Sequence, residues 1–442
     1  MADGTVTAQN QAPGAGQAVV LTLLLSGCVL FTMGNGLNST LLGVRGDIEG
    51  WDASLLGLIM SGFSFGYVVG TLLGPRAIRQ SGHVRAFAAA ASTLSILTLS
   101  HAVFVDPAAW FGLRLVHGAC YAVLGLVAES WLNAAATSHN RGRIFGLYAM
   151  LVLLAFMVSQ ALFVIADPTE FILFVLVSIL ISASLVPLTL SGVDAPRDIP
   201  VSRMTVRRVY QVSQVGAVGC AVSGVVIGAS LSLSAVYARQ VGLDQQGISL
   251  FMAASFSGGM ILVWPVGWLS DRMDRRWVIV AVSILAAASA GVLAFAGAEM
   301  GLWGLTLAHL AFGALSMPVY ALCVAHANDF VDRSELVGLA AGLLMAFAIG
   351  QVIGPLAAGT VMDVLGPGGL FGFIGVVMAG FGLFTAWRLR VGRKPDPAQV
   401  DPFVNTPRTT FVATGLDPRA EPMFDDASDG AGPDRADPRS AV

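Results

Sequence analysis

The sequence predicts an all-α integral membrane protein with twelve transmembrane helices in two pseudo-symmetric six-helix halves. Three observations predict it. The 442 residues are 55% hydrophobic and only 12% charged, with a mean hydropathy of +0.76, which leaves too little charge to clothe a soluble surface. The apolar residues gather into twelve runs, each suited to crossing a hydrocarbon core about 30 Å thick. A short pattern also repeats: Gly70 and Leu72 return as Gly267 and Leu269, an offset of 197, as in two halves related by an axis along the membrane normal.

Residues 1–17 contain no Lys or Arg, so they lack the charged start of a signal peptide and read as a disordered lead. The first half spans 18–190. Its first run (19–44) carries Asn35 and Asn38, three apart and therefore on one helix face. In lipid they would cost free energy, so they face protein or a water-filled cavity; helix glue and cavity lining both fit. After the second and third runs (the third 84–105), the fourth, 108–133, holds Arg114, His117 and Glu129. A charge at mid-membrane costs about 3 kcal/mol on insertion scales, which marks Arg114 and Glu129 as functional candidates. At 100° per residue they fall on one stripe with Gly118 and Gly125, about 22 Å apart along the axis. They cannot pair with each other. The fifth run (144–166) contributes Gln160, and the sixth (169–190) closes the half.

Residues 191–210 form a polar, basic linker with Arg197, Arg203, Arg207 and Arg208, long enough for a short surface helix. The second half spans 211–391. Its seventh run (211–237) sets Gly219, Ser223, Ser230 and Ser234 along one face, for close helix approach or a polar cavity wall. The eighth (247–269) and ninth (277–298) flank a short charged loop. The tenth (301–324) has His309, read as a satisfied packing histidine, and Tyr320. The eleventh places Gly338, Gly342, Ala346, Gly350, Gly354 and Ala358 at intervals of four, a ribbon for backbone contact. The twelfth ends at Arg388 and Arg390. Residues 392–442 are Pro-rich and acidic without apolar periodicity, and read as a disordered tail.

The charged loop, Gly267-Trp-Leu-Ser-Asp271-Arg272-Met-Asp274-Arg275-Arg276, resembles the signature loop of the major facilitator superfamily, with Asp274 where that family has Gly. Arg114-Leu-Val-His117-Gly118 resembles its second signature, with His in place of Gln. At the 197 offset Gly74 meets Asp271, so the first copy of the loop lacks the acid. Glu129 followed by Asn140-Arg141-Gly142-Arg143 is similar to a branch of bacterial inner-membrane transporters in that superfamily. The resemblance implies a carrier working by alternating access, with a substrate cavity drawn from Asn35, Asn38, Arg114, His117, Gln160, Ser223, Ser230 and Tyr320. Glu129 would serve proton coupling or a gate ion pair with Arg76, Arg141 and Arg143. Gly267, Asp271, Arg272, Arg275, Arg276, Arg141 and Arg143 would form a latch, Asp271 approaching the start of the fifth helix.

Charge placement orients the chain. With the N-terminus inside, the basic loops fall on the cytoplasmic side and only Arg45 and Arg239 lie outside. The net charge of −3 divides into +2 through Lys394 and −5 beyond it, with no basic tract for nucleic acid. Cys28, Cys120, Cys220 and Cys323 sit within apolar runs, without metal or disulfide spacing. No cofactor is implied. The expected partners are a small-molecule substrate, the lipid bilayer and a coupling proton, for a monomer in a bacterial cytoplasmic membrane. Two other readings stand: a non-transporting sensor or assembly factor, and a membrane-embedded enzyme, for which no Ser/His/Asp or metal-ligand spacing appears.

Overall fold

A computed structural model describes residues 15–137, 140–190, 204–391, 402–417 and 419. The first half comprises α1 (Ala15–Ile48), α2 (Ala53–Ser81), α3 (His83–Val103), α4 (Pro107–Ala135), α5 (Arg141–Phe163) and α6 (Ile172–Ala183), the last continued by α7 (Leu185–Leu190). A short linker helix, α8 (Val206–Val212), leads into α9 (Gln214–Gln240), α10 (Gln245–Ser270) and α11 (Arg275–Ala296). Then come α12 (Leu302–Ser316) and α13 (Pro318–Asn328), α14 (Leu336–Leu365) and α15 (Gly369–Val391). Pairing α6 with α7 and α12 with α13 gives, among the described residues, twelve helices long and apolar enough to span a membrane. The expected lead is partly helical, since α1 begins at Ala15; residues 1–14 and 191–203 lie outside the described residues.

The two halves repeat one packing device. A Cβ on Gly66 would lie 1.8 Å from the Leu115 carbonyl oxygen, and one on Gly118 would lie 1.9 Å from that of Phe63. The second half answers with Gly258 at 2.1 Å from the Leu310 oxygen and Gly313 at 2.1 Å from that of Ser255. Glycine is required at these crossings because only a helix without a Cβ lets a neighbouring backbone come so near. The pairs relate α2 to α10 by 192 residues (Gly66 to Gly258) and α4 to α12 by 195 (Gly118 to Gly313). Helix starts agree: His83 and Arg275 are 192 apart, Pro107 and Leu302 195 apart.

This corrects the 197-residue offset. Two Gly/Leu identities in a helix full of both can slip by a turn, whereas backbone crossings cannot. In the true register Gly82, at φ +82°, is the counterpart of Asp274, and Arg79 is the counterpart of Asp271. His309 becomes the counterpart of Arg114. The ribbon on α14 behaves as expected: Gly350 and Gly354 abut the Ala221 and Val225 carbonyl oxygens of α9, where a Cβ would stand 2.1 and 2.2 Å away.

The ends of the bundle differ. One end carries Arg76, Arg79, Arg85, Arg143, Arg272, Arg275, Arg276 and Arg388 and is called here the arginine-rich end. At the opposite end, Arg45 pairs with Glu49 and Arg239 pairs with Asp47 across the halves.

The tail departs from expectation. Residues 402–417 are not free: they enter the bundle at the arginine-rich end, and a 3₁₀ segment, Phe411–Leu416, packs against α4, α5 and α14. Val412, Ala413 and Leu416 are fully buried there, an apolar triplet too short to register as periodicity. Residues 392–401 and 420–442 lie outside the described residues.

Candidate functional site

Between the halves lie two joined chambers. The one nearer the opposite end, about 50 Å³, is walled by polar groups including Asn35, Ser39, Thr40, Arg114, Gln160 and Gln351. The one nearer the arginine-rich end, about 150 Å³, is more aromatic, and its floor is the tail residues Asn405 to Thr409. Asn35, Phe63, Phe156, Leu231, Phe256 and Gln351 border both, so the chambers form one cavity with a polar head and an apolar body. Ligand sites of small molecules share that make-up.

Arg114 supplies the head with its charge. Its side chain is almost wholly buried, its guanidinium lies 4.6 Å from the centroid of the Phe63 ring, and Nε and Nη1 have no hydrogen-bond partner. Among the described residues, Arg114 joins no ion pair. A desolvated cation without a counter-charge is costly, and the ring face offsets only part of that. Beside it Gln160 accepts from the Thr40 hydroxyl at 2.8 Å and donates to Ser159 Oγ at 3.0 Å. Asn35 Oδ1 is buried and unpartnered.

Of the expected cavity residues, Asn35, Arg114 and Gln160 come together here. Asn38, His117, Ser223 and Tyr320 are buried but border neither chamber. His117 lies under Phe63, ring centroids 5.9 Å apart, and Tyr320 meets Phe347 edge-on at 5.0 Å. Ser230 bonds Ser234 at 3.1 Å and faces a separate small void beside His309. Those serines follow the seventh helix's small face into packing. His309 Nδ1 bonds the Phe251 carbonyl at 2.7 Å and its ring stacks on that of Phe251, but Nε2 is buried without a partner, so the histidine packs as expected and is only half satisfied. Sequence reasoning missed Gln351 and the stacked pair Phe156–Phe256, 5.3 Å apart. Gln351 had a signal, being polar inside an apolar run, but it stood in the small-residue ribbon.

The cavity is shut toward the opposite end. A Cβ on Gly57 would lie 2.2 Å from the Pro355 carbonyl oxygen, and one on Gly359 would lie 2.3 Å from that of Ala53, so α2 and α14 touch backbone to backbone. Asp363 of α14 accepts the amides of Ala53 and Ser54 at 2.9 and 3.0 Å, capping α2 from across the interface. The serine hydroxyl of Ser249 donates to the Gln160 carbonyl at 2.7 Å. Gln245 donates to the carbonyls of Phe163 and Ala166 at 2.6 and 2.7 Å.

Glu129 stands toward the arginine-rich end and is completely buried. It accepts from Tyr148 Oη at 2.7 Å, from the Thr410 hydroxyl, and from the Ala413 amide at 3.1 Å. None of these partners is an arginine, so the expected gate pair with Arg76, Arg141 or Arg143 is absent among the described residues. The physical reason is the tail, whose amide and hydroxyl take the place of a cation. Arg143 is exposed and Arg141 is buried with Nε unpartnered.

The signature loop is knitted to its own half. Arg275 donates to Asp271 Oδ1 at 2.9 Å, to Ser270 Oγ at 3.0 Å and, through Nε, to Asp329 at 2.9 Å. Arg276 pairs with Asp274 at 2.6 Å, and Arg272 stacks over Trp268, 3.6 Å from the ring centroid. Asp274 caps α11 by accepting the Arg276 amide at 3.1 Å, with φ −54°, so the turn works without the family's Gly. Asp271 does not reach the start of α5. It accepts the Phe403 amide at 2.8 Å instead, because α5 and α10 meet toward the opposite end and the tail intervenes here.

Twelve apolar spans in two half-bundles, enclosing one polar-headed cavity that is closed at one end, define the class: a multi-pass membrane transporter. The model of the Major Facilitator Superfamily matches residues 215–415. An uncharacterized MFS-type transporter of Yersinia enterocolitica is 28% identical over 389 residues, covering 86% of this chain and 97% of its own. The uncharacterized MFS-type transporter YcaD of Salmonella typhi is 28% identical over 387 residues, covering 85% and 97%. Among solved structures, the nucleoside transporter NupG aligns with a TM-score of 0.67 at 13% identity, over 85% of this chain and all of that one. An inward-facing, occupied bacterial homologue of the lysosomal transporter Spinster aligns with a TM-score of 0.67 at 16% identity, over 87% and 100%. The chain is similar to bacterial major facilitator superfamily transporters along most of its length, and its second half to the model of that superfamily.

Proposed function

We propose that this protein is a proton-coupled secondary carrier of a small molecule that bears an anionic group. It works as a monomer in a bacterial cytoplasmic membrane with both termini and the arginine-rich end in the cytoplasm. The excess of arginine at that end supports the orientation, since basic loops are retained inside. The closed opposite end then makes this the inward-facing state, the state named for the Spinster homologue. Residues 18–190 and 211–391 are the rocking halves and 191–210 joins them.

One observation carries the reading: Arg114 presents a buried, unpaired guanidinium to a cavity whose wall, among the described residues, holds no acid to neutralise it. A carboxylate or phosphate of a substrate would complete it bidentately, while the aromatic body of the cavity takes an apolar remainder. Glu129 supports coupling. It is a carboxyl held by neutral donors within a span, free of the arginine that would keep it permanently ionised.

The test is a thermal-shift screen of anionic and neutral metabolites against the purified wild-type sequence and Arg114→Gln, each ending at residue 394 because Asn405 to Thr409 floor the cavity. A set of anions raising Tm in the wild type alone supports the reading. Neutral ligands that stabilise both proteins equally overturn it. Glu129→Gln in liposomes should then abolish gradient-driven uptake while sparing exchange of the ligand so found.

A further inference from the structure

The arginine-rich mouth of the cavity is occupied by the chain itself. Tyr67 Oη donates to the Thr409 carbonyl at 2.8 Å, Asn133 Nδ2 to that of Val412 at 2.8 Å, and Glu129 receives Thr410 and Ala413. Those are contacts with the first half. With the second, Arg408 Nη2 donates to the Met317 carbonyl at 2.8 Å, and Asp271 receives the Phe403 amide. The Phe403 ring sits on Gly267, where a Cβ would lie 2.2 Å from Cδ1. The signature glycine therefore keeps room for a tail side chain. A backbone that satisfies the buried Glu129 and Asn133 and the half-buried Tyr67, and that buries an apolar triplet of its own, is a seated ligand rather than a passing loop.

We propose that residues 402–417 are a tethered plug. They bind between the halves with Glu129 as their receptor, and they hold the carrier with its arginine-rich mouth filled. Two consequences follow. Solute cannot enter the larger chamber past Asn405–Thr409, and the halves cannot approach each other at this end while a peptide lies between them. The second consequence rests on the alternating-access reading above; the first rests on geometry alone. Release of the plug also strips Glu129 of three donors, the amide and hydroxyl of Thr410 and the amide of Ala413, and leaves it Tyr148, so the plug and the coupling carboxyl report on each other.

Ala149 borders the larger chamber beside the plug, and its methyl group can carry neither a hydrogen bond nor a charge to a ligand there. Ala149→Cys, in a carrier reconstituted in nanodiscs, is labelled with a charged maleimide. The full chain should react on the order of tenfold more slowly than a chain ending at residue 394, as expected where reaction needs a local opening. A synthetic peptide of residues 402–419 should restore slow labelling to the shortened chain. Full-length Thr410→Val/Ala413→Pro, altered only in the tail, should label as fast as the shortened chain. Equal rates in the full chain, the shortened chain and the tail double variant overturn the plug. A second arm follows exchange of the anion found by the screen. Faster exchange by the shortened chain supports inhibition; fast labelling with unchanged exchange keeps the plug and overturns its inhibitory role. No exchange by either chain instead counts against the carrier reading.

Discussion

Asp363 caps a helix that belongs to the other half of the molecule: its Oδ1 accepts the Ala53 amide at 2.9 Å. The first turn of α2 has four amides without helical partners, and its own N-cap, Asp52, makes no side-chain bond to them. The carboxylate from α14 therefore meets both unpaired donors and the positive end of the helix dipole. Asp363→Ala should remove about 1–3 kcal/mol from the closed opposite mouth. Spin-label distances across that mouth should lengthen in a larger share of molecules, and an unchanged distribution would show the cap to be idle.

Steric closure at the same mouth predicts a companion effect. Gly57→Val puts two methyl groups where the Pro355 carbonyl already stands, so α2 and α14 must part. The variant should expose this end to water without unfolding, because the α2–α4 crossing at Gly66 and Gly118 is untouched. Labelling of a cysteine at Ser39 is the measurement, and rates equal to those of the unaltered helix pair would refute it.

The loop charges divide by burial. Arg275 and Asp329 are both about 3% exposed, whereas Asp271 is 31% exposed. Breaking a buried pair leaves an uncompensated charge and costs about 3–5 kcal/mol; a half-exposed partner is worth far less. Asp329→Asn should lower the unfolding temperature clearly, and Asp271→Asn only slightly. Reversed effects would contradict the pairing.

Acid should weaken the loop in one direction only. Burial raises the Asp274 carboxyl, but the hydrogen bonds and charge of Arg276 outweigh it and hold the pKa below the usual range. Its stabilisation is thus present above the unfolded value of about 3.9 and is lost as pH falls through the lower folded value. Asp274→Asn should flatten that part of the stability–pH curve near its acid limb, measured by unfolding midpoints between pH 6 and the lowest tolerated pH (about 3).

The spans, the two halves and the arginine asymmetry were legible because hydropathy and charge act residue by residue. Asn35, Arg114 and Gln160 were legible for the same reason, as polar groups in apolar helices. What the sequence hid depends on register between helices. The repeat offset slipped because Gly and Leu abound in α2 and α10. Tyr320, His117 and Ser223 carry the same polar signal as Asn35 but turn into helix–helix seams, and a single helix pattern does not say which seam faces the cavity. The tail was hidden for another reason: the burial of Val412, Ala413 and Leu416 is a property of the mouth that receives them, and their own surroundings in sequence are prolines and acids.

Arg114 as the anion's anchor is what transport of an anionic solute depends on. The most direct measurement is titration calorimetry of an anionic ligand from the screen against the wild type, Arg114→Lys and Arg114→Gln, each lacking residues 395–442 so that the mouth is clear. The prediction is binding by the wild type, weakening by about tenfold or more in Lys, which keeps charge but loses the planar fork, and no detectable heat in Gln. Equal affinity in all three would contradict it.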